Sequence, residues 1–420
     1  VPQIAPVTFA AGNARKLLAL PGYGLGALAS VVVPRRRDRW VFGSGPGIGE
    51  GALALYRTVQ QQDPALSLLW LARDERDLAT ATALGIPAVL KSSRQGLWAT
   101  LRARVIVVTH GFGDANRYGI RGGFVVQLWH GIPLKLINLD SPATLRTRLL
   151  PDSTLVRRML RQMYRTAARS IDIMPAASGV SASRLRTAFD LPEHRVVVTG
   201  DPRDDVLVAG DETGRNATAR SRLFAALGVA DEGRRVLLYA PTWRDGEVDP
   251  GVPSAAEWHA IVARLEATDS VLVVRPHPHG VGDYAAGFAL SDRVVLLDSA
   301  RCTDVTPVLP AVDLLITDYS SIAYDFALLG RPIAFLAPDV AAYTASRGLY
   351  VDYDTFSGGT QASSWNELLD LLDRAGSDGP TRAALAAHAA ELANAHHAFR
   401  DGGNTRRVYV QITTRLKEHE

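Results

Sequence analysis

The side chains best suited to chemistry sit in short polar stretches that each follow an apolar run. Asp318-Tyr319-Ser320-Ser321 stands between residues 312–317, apolar except for Asp313, and a helix-period segment at 322–329. Gly330 stops that helix, and Arg331-Pro332 leads into a second apolar run at 333–336. The pattern predicts strand, turn, helix and strand. Ser320 and Ser321 take the N-cap positions, where a hydroxyl satisfies an orphan N–H of the first turn. A helix start at the carboxyl end of a parallel strand suits an anion. An ordinary capped helix in an α/β core fits the same residues.

Trp129-His130-Gly131 follows a second strand pattern, Val125, Val126 and Leu128. Open α/β sheets place ligands at this end of a strand. Gly131 lets backbone approach closely, and Lys135 supplies a nearby cation. Thr242 and Arg244 stand just past a strand at 235–239. Residues 270–274 run into Arg275-Pro276-His277-Pro278-His279, whose prolines stiffen the turn and aim His277. No acidic or cysteine partner lies close to these two histidines, so no metal is expected there. Arg347-Gly348 adds another cation. A serine-lined, arginine-rich cradle with a histidine base suits an activated phosphate donor. The cations would neutralise a pyrophosphate leaving group while the imidazole takes a proton from an acceptor hydroxyl. These residues point to a transferase with a nucleotide-diphosphate donor and leave open whether sugar or phosphate moves.

The elements that must position these groups form an α/β rhythm beginning at Trp40. Apolar runs at 40–42, 66–71, 88–90, 105–109 and 125–128 alternate with helical patterns, and the rhythm restarts at 235. Residues 43–51 are glycine-rich, but no acidic residue about 20 positions on completes a dinucleotide fingerprint. They read as a loop where backbone approaches something closely. The expected organisation is an appendage at 1–38, a first Rossmann-like acceptor domain at 39–205 and a second, nucleotide-donor domain at 206–420. The second begins with a polar linker containing one helix at 206–234. The two domains are expected to face a cleft, with His130, Gly131 and Lys135 on one side and Thr242, Arg244, Arg275, His277, Asp318, Ser320, Ser321 and Arg347 on the other.

Composition narrows the class. The 420 residues allow two cores, and 47% hydrophobic with 21% charged residues is ordinary for a globular chain. A formal net charge of +3 gives no nucleic-acid signal. Cys302 is the single cysteine, which excludes a disulfide framework and a cysteine zinc site. No run reaches the ~18 apolar residues of a membrane span. Residues 17–33 come nearest, and Arg35, Arg36, Arg37 and Arg39 follow them rather than precede them, against the order of a signal peptide. This segment fits either an interfacial anchor or a loosely packed helix and linker. Residues 149–171 predict a cationic amphipathic helix with Arg157, Arg158, Arg161, Arg165 and Arg169. It fits a membrane-surface contact or a solvated arginine face over the core.

Several of these stretches, taken in order, resemble a known family. They are Gln127-Leu-Trp-His-Gly-Ile-Pro-Leu-Lys135, Gly200-Asp-Pro-Arg203, Ala240-Pro-Thr-Trp-Arg244, Arg275-Pro-His277, Ile316-Thr-Asp-Tyr-Ser-Ser-Ile322, Arg347-Gly-Leu-Tyr350 and Asp401-Gly-Gly-Asn404. Together they resemble the CDP-glycerol:poly(glycerophosphate) glycerophosphotransferases of teichoic acid and capsule synthesis, from about Trp40 to the C-terminus. The chain departs from the pattern at Ile132, where threonine is usual, and at Asn404-Thr405, where a small residue and serine are. The resemblance implies a glycosyltransferase-B-type fold and transfer of a polyol phosphate from a CDP-polyol to an acceptor hydroxyl, with CMP released and no cofactor. It implies that His130 activates the acceptor and that Arg275 and His277 bind the donor phosphates. Ser320 and Ser321 would hold the pyrophosphate or the transferred phosphate, with Asp318, Thr242 and Arg244 on the nucleotide side. It further implies a lipid-linked or polymeric glycan acceptor at the cytoplasmic face of an anionic membrane. A nucleotide-sugar glycosyltransferase of the same fold and a non-catalytic polymer- or membrane-binding module are the alternatives.

Overall fold

The computed structural model describes residues 20–142, 144–145, 153–244, 248–277, 280 and 282–418. His279, the first part of the expected appendage and the start of the expected 149–171 helix lie outside the described residues.

The first sheet holds β1 (Arg36–Phe42), β2 (Ser67–Ala72), β3 (Ala88–Leu90), β4 (Ala103–Val108) and β5 (Phe124–Gln127). All pairs are parallel, in the order β3-β2-β1-β4-β5. β6 (Met174–Ala176) and β7 (Val196–Val198) pair in parallel, and a bridge from Val126 to Ile173 joins them to β5. The strands read as apolar runs because helices cover both faces of a parallel sheet. On one face Trp40, Phe42, Tyr56 and Trp70 pack with Val408 and Ile412. On the other, Val41, Leu71, Ile106 and Val125 pack with Ala99.

The second sheet repeats the plan. It holds β8 (Arg235–Ala240), β9 (Ser270–Val274), β10 (Val294–Leu296), β11 (Leu314–Thr317) and β12 (Ile333–Phe335). Its order is β10-β9-β8-β11-β12, again wholly parallel. Tyr239, Trp258, Ile261, Leu272, Ile316 and Trp365 fill its largest cluster. In each sheet the strand order reverses beside the first strand, between β1 and β4 and between β8 and β11, the topological switch point where such sheets bind ligands.

The chain divides into two compact units that differ from the expected halves. Pro133–Leu136 belongs with the second sheet, and His397–Glu420 belongs with the first. Leu136 donates its N–H to the Gly348 carbonyl, and Tyr350 donates to that of Leu134. The closing helix, Asn404–Glu418, buries Val408, Ile412 and Leu416 in the first core. The expected polar linker is helix Glu212–Leu227, which buries Ala219, Leu223, Phe224 and Leu227 in the second unit. Its mixed composition hid a one-sided apolar stripe. The helix expected over 149–171 spans Thr154–Ala168, capped by the Ser153 hydroxyl.

Candidate active site

In the first unit the loops after β1, β4 and β5 carry the chemistry. His130 follows β5 in a turn whose backbone is strained: Trp129 has φ +63° and Gly131 φ +120°. A tryptophan in the left-handed region costs on the order of 1–3 kcal/mol, and such residues concentrate at functional sites. Gly131 cannot be replaced cheaply, because L side chains rarely adopt its φ of +120°; a Cβ there would also lie 2.6 Å from Nη2 of Arg203. Arg203 is itself 9% exposed and donates from Nη1 to the His130 carbonyl at 3.1 Å. Asp201 and Asp204 flank its Nε at 3.5 and 4.0 Å, and His397 approaches Asp204 at 3.2 Å.

The loop after β4 brings a second histidine. The His110 and His130 rings stack with centroids 3.9 Å apart and planes within 3°. Trp129 lies against His130 with centroids 4.1 Å apart. Asp114 accepts from the backbone N–H groups of Thr109 and His110, fixing this turn. Thr109 Oγ1 lies 3.0 Å from Ser44 Oγ and 2.9 Å from His110 Nδ1, and Glu50 approaches the same nitrogen at 4.0 Å. Desolvation pushes the His110 pKa below its ordinary value; Arg203 adds to this and Asp114 opposes it. One glycine of the 43–51 loop owes its place to this ring, since a Cβ on Gly45 would meet His110 Cγ at 2.7 Å.

In the second unit, the β8 and β11 loops are tied at the switch point. The Thr242 N–H donates to both Asp318 oxygens at 2.9 and 3.0 Å. Arg244 donates to Asp318 at 3.0 Å and, bidentately, to Asp339 at 2.8 and 2.8 Å. Its guanidinium lies 5.0 and 4.8 Å from the Tyr319 and Tyr343 ring centroids. Burial alone would lower the Arg244 pKa, but Asp339 and Asp318 outweigh it and raise the value. Burial raises the Asp318 pKa, with Arg244 opposing. Arg275 is likewise engaged inside, donating to the Cys302 and Leu297 carbonyls at 2.9 and 3.3 Å. Arg244, Arg275 and Asp318, expected on the donor side, are each engaged by the protein's own groups, which fix the loops that carry them. Partners such as Leu297 for Arg275 and Asp339 for Arg244 lie 22 and 95 positions away in the chain, beyond the reach of motif reading.

Other expected residues remain part-exposed around this framework. Lys135 lies in the field of Asp318, Arg347 and Arg244, and desolvation pulls its pKa down to about 8. The sequence put Lys135 on the acceptor side with His130, but it pairs with Leu349 in the second unit. His277 stacks on Trp243, with centroids 5.6 Å apart, and Arg347 lies 5.1 Å from the same indole. Thr242, by contrast, is buried, and its side chain lies beside the Asp318 carboxylate. Ser321, at the N-cap of helix Ile322–Ala327, makes no side-chain cap bond; Ser320 Oγ accepts from the Ile322 N–H at 3.4 Å. The expected double cap is therefore a single long one. Among the described residues no three His, Cys, Asp or Glu side chains converge as metal ligands.

Sequence reasoning missed His110, Trp243 and the role of Arg203. For His110 a signal existed: it ends the β4 run at the same kind of position as His130 ends β5. Arg203 stands in the Gly200-Asp-Pro-Arg203 motif, but its contact with the His130 carbonyl, 73 positions away, left no local signal.

The family model described as CDP-Glycerol:Poly(glycerophosphate) glycerophosphotransferase matches residues 27–414. The teichoic acid poly(glycerol phosphate) polymerase of Bacillus subtilis (strain 168) is 25% identical over 334 residues, covering 76% of this chain and 41% of that protein. The teichoic acid glycerol-phosphate transferase of Staphylococcus aureus (strain NCTC 8325 / PS 47) is 28% identical over 291 residues, covering 68% of this chain and 71% of that protein. The match thus spans less than half of the polymerase's length. The solved wall teichoic acid polymerase TagF has a TM-score of 0.75 at 21% identity, covering 98% of both chains. A UDP-N-acetylglucosamine 2-epimerase has a TM-score of 0.54 at 16% identity, covering 92% of this chain and 97% of its own. At these identities the structures speak for the fold, a glycosyltransferase-B-like pair of Rossmann units. With the family model matching nearly the whole sequence, the chain belongs to the CDP-glycerol:poly(glycerophosphate) glycerophosphotransferase family.

Proposed function

We propose that this chain transfers a polyol phosphate from a CDP-polyol to a hydroxyl of a wall glycopolymer or its lipid-linked precursor. The observation that carries the reading is the family match together with His130, held at the end of β5 by a strained turn and the Arg203 clamp. In the proposed step the His130 imidazole takes the acceptor O–H proton. The oxygen forms a bond to the polyol-bearing phosphorus, and the bond from that phosphorus to the bridging oxygen breaks. CMP leaves with the electron pair. Lys135, His277, Arg347, Ser320, Ser321 and Thr242 would hold the donor's phosphates and nucleotide. Arg244, Arg275 and Asp318 would keep those groups in place. Positioning and charge neutralisation supply most of what phosphoryl transfer needs. Names of relatives support the substrate class: a glycerol-phosphate transferase and ribitol-phosphate polymerases match, and one TagF variant was soaked with CDPG.

The test is CMP release from CDP-glycerol and CDP-ribitol, each with a lipid-linked glycerol-phosphate acceptor, beside UDP-sugars. Turnover confined to one CDP-polyol is expected. Nucleotide release from UDP-sugars alone would replace this reading with a glycosyltransferase, and no turnover of any donor would favour a binding module.

We further propose that the protein works at the inner, anionic face of the cell membrane. Helix Thr154–Ala168 supports this: Leu155 and Met159 are 75% and 46% exposed, beside exposed Arg157, Arg158 and Arg161. Helix Leu20–Val32 similarly leaves Leu28, Val31 and Val32 exposed. No described helix is long and apolar enough to cross a membrane. Replacing Arg157, Arg158 and Arg161 with Gln should weaken binding to phosphatidylglycerol vesicles, since each basic residue near such a surface contributes about 1 kcal/mol. Undiminished binding would make this a solvated face.

A further inference from the structure

We propose that His110 is a positioning residue that seats the His130 imidazole for proton transfer, an inference that rests on His130 being the general base. The geometry supports a purpose beyond packing. Two imidazoles lie parallel within 3° at 3.9 Å, at the ends of the neighbouring strands β4 and β5. His110 is held from several directions. The Asp114 carboxylate accepts its backbone N–H at 2.6 Å, Thr109 Oγ1 lies 2.9 Å from Nδ1, and Gly45 leaves room for no side chain behind it. Yet 35% of the His110 side chain stays exposed, so the ring is fixed at a surface rather than sunk in a core.

A stacked pair of this kind works only if it does not carry two positive charges. The charged groups facing His110 are Glu50 at 4.0 Å, Asp114 and Arg203, with His130 on its face. Desolvation, with Arg203, outweighs Asp114 and favours the neutral ring. A neutral aromatic face beside His130 fixes the plane of the base before reaction. When His130 takes the acceptor's proton, the new imidazolium lies over a π-system and gains cation–π stabilisation. His110 itself exchanges no proton in this scheme. The Ser44–Thr109 contact and Gly45 then serve to leave the His110 ring a single position.

The test compares His110→Ala, His110→Gln, His110→Phe and His130→Ala by CMP release from CDP-glycerol with a lipid-linked glycerol-phosphate acceptor, alongside thermal midpoints. Losing an orienting contact should lower kcat of His110→Ala about tenfold or more. KM for CDP-glycerol should stay within about twofold, because the loss falls on the transition state. His110→Phe keeps a flat π-face and should recover most of the lost turnover, while His110→Gln should not. If His110→Ala fails to fold, the Phe and Gln variants decide: a more active Phe variant supports the inference, and equal activity overturns it. Unchanged kcat in folded His110→Ala, or a folded Phe variant as impaired as Ala, would also overturn it. Full turnover in His130→Ala would instead remove the assignment of the base, whatever His110 does.

Discussion

The Arg203 guanidinium donates to the backbone carbonyl of His130 at 3.1 Å, across 73 positions of sequence. The contact joins two of the chain's motifs in one unit and leaves Gly131 no room for a side chain. Replacing Arg203 with Lys keeps a charge but loses the planar fork. The expected outcome is a kcat lowered about tenfold to a hundredfold with unchanged KM for CDP-glycerol, because a remote shift of up to about an ångström at the base costs on this order. Steady-state kinetics on the folded variant would check it, and an unaltered kcat would show that the turn holds itself.

His130→Ala and His277→Ala should each lower turnover about a hundredfold or more, the range of a lost acid–base group. Trp243 separates the two cases. His277 rests on that indole, so Trp243→Ala should reproduce part of the His277 loss and leave His130 chemistry alone. Normal turnover in His277→Ala would take that residue out of the reaction.

Lys135 predicts a pH dependence. Its pKa is pulled down to about 8, so its ammonium is present below that pH and lost above it. If the ammonium holds donor phosphate, KM for CDP-glycerol should rise as pH passes about 8, because deprotonation removes a cation that the donor needs. Lys135→Arg keeps its charge and should flatten the rise. A KM that stays level across this range in the parent protein would exclude Lys135 from the donor.

Arg244 is expected to act on stability before affinity. Removing it leaves Asp318, 2% exposed, and Asp339 without their cation. Breaking such a buried pair costs about 3–5 kcal/mol, so Arg244→Ala should lower the thermal midpoint markedly. A variant with an unchanged midpoint and weaker CDP-glycerol binding would restore the donor-contact reading.

Much of the architecture could be read from the chain. Apolar runs such as 236–239 and 271–274 mark buried parallel strands because neither face meets water. His130, Thr242 and His277 were recognisable because a polar residue just past such a run stands where ligands bind. The helix expected within 206–234 is there at 212–227, but its narrow apolar stripe hid its packing into the second core, and the closing helix was put with the other sheet because amphipathicity does not name the partner surface.

By itself, the sequence determined the two parallel sheets, the strand ends that carry polar groups and the family. Those features depend on local periodicity and on residues a few positions apart. Only the tertiary structure decided which charges are available. Asp205 caps Thr405 at 2.8 Å from 200 positions away, Arg203 clamps His130, and Arg244 is held by Asp339. A charged side chain in sequence looks the same whether it meets solvent or a buried carboxylate, and only the folded chain brings those partners together.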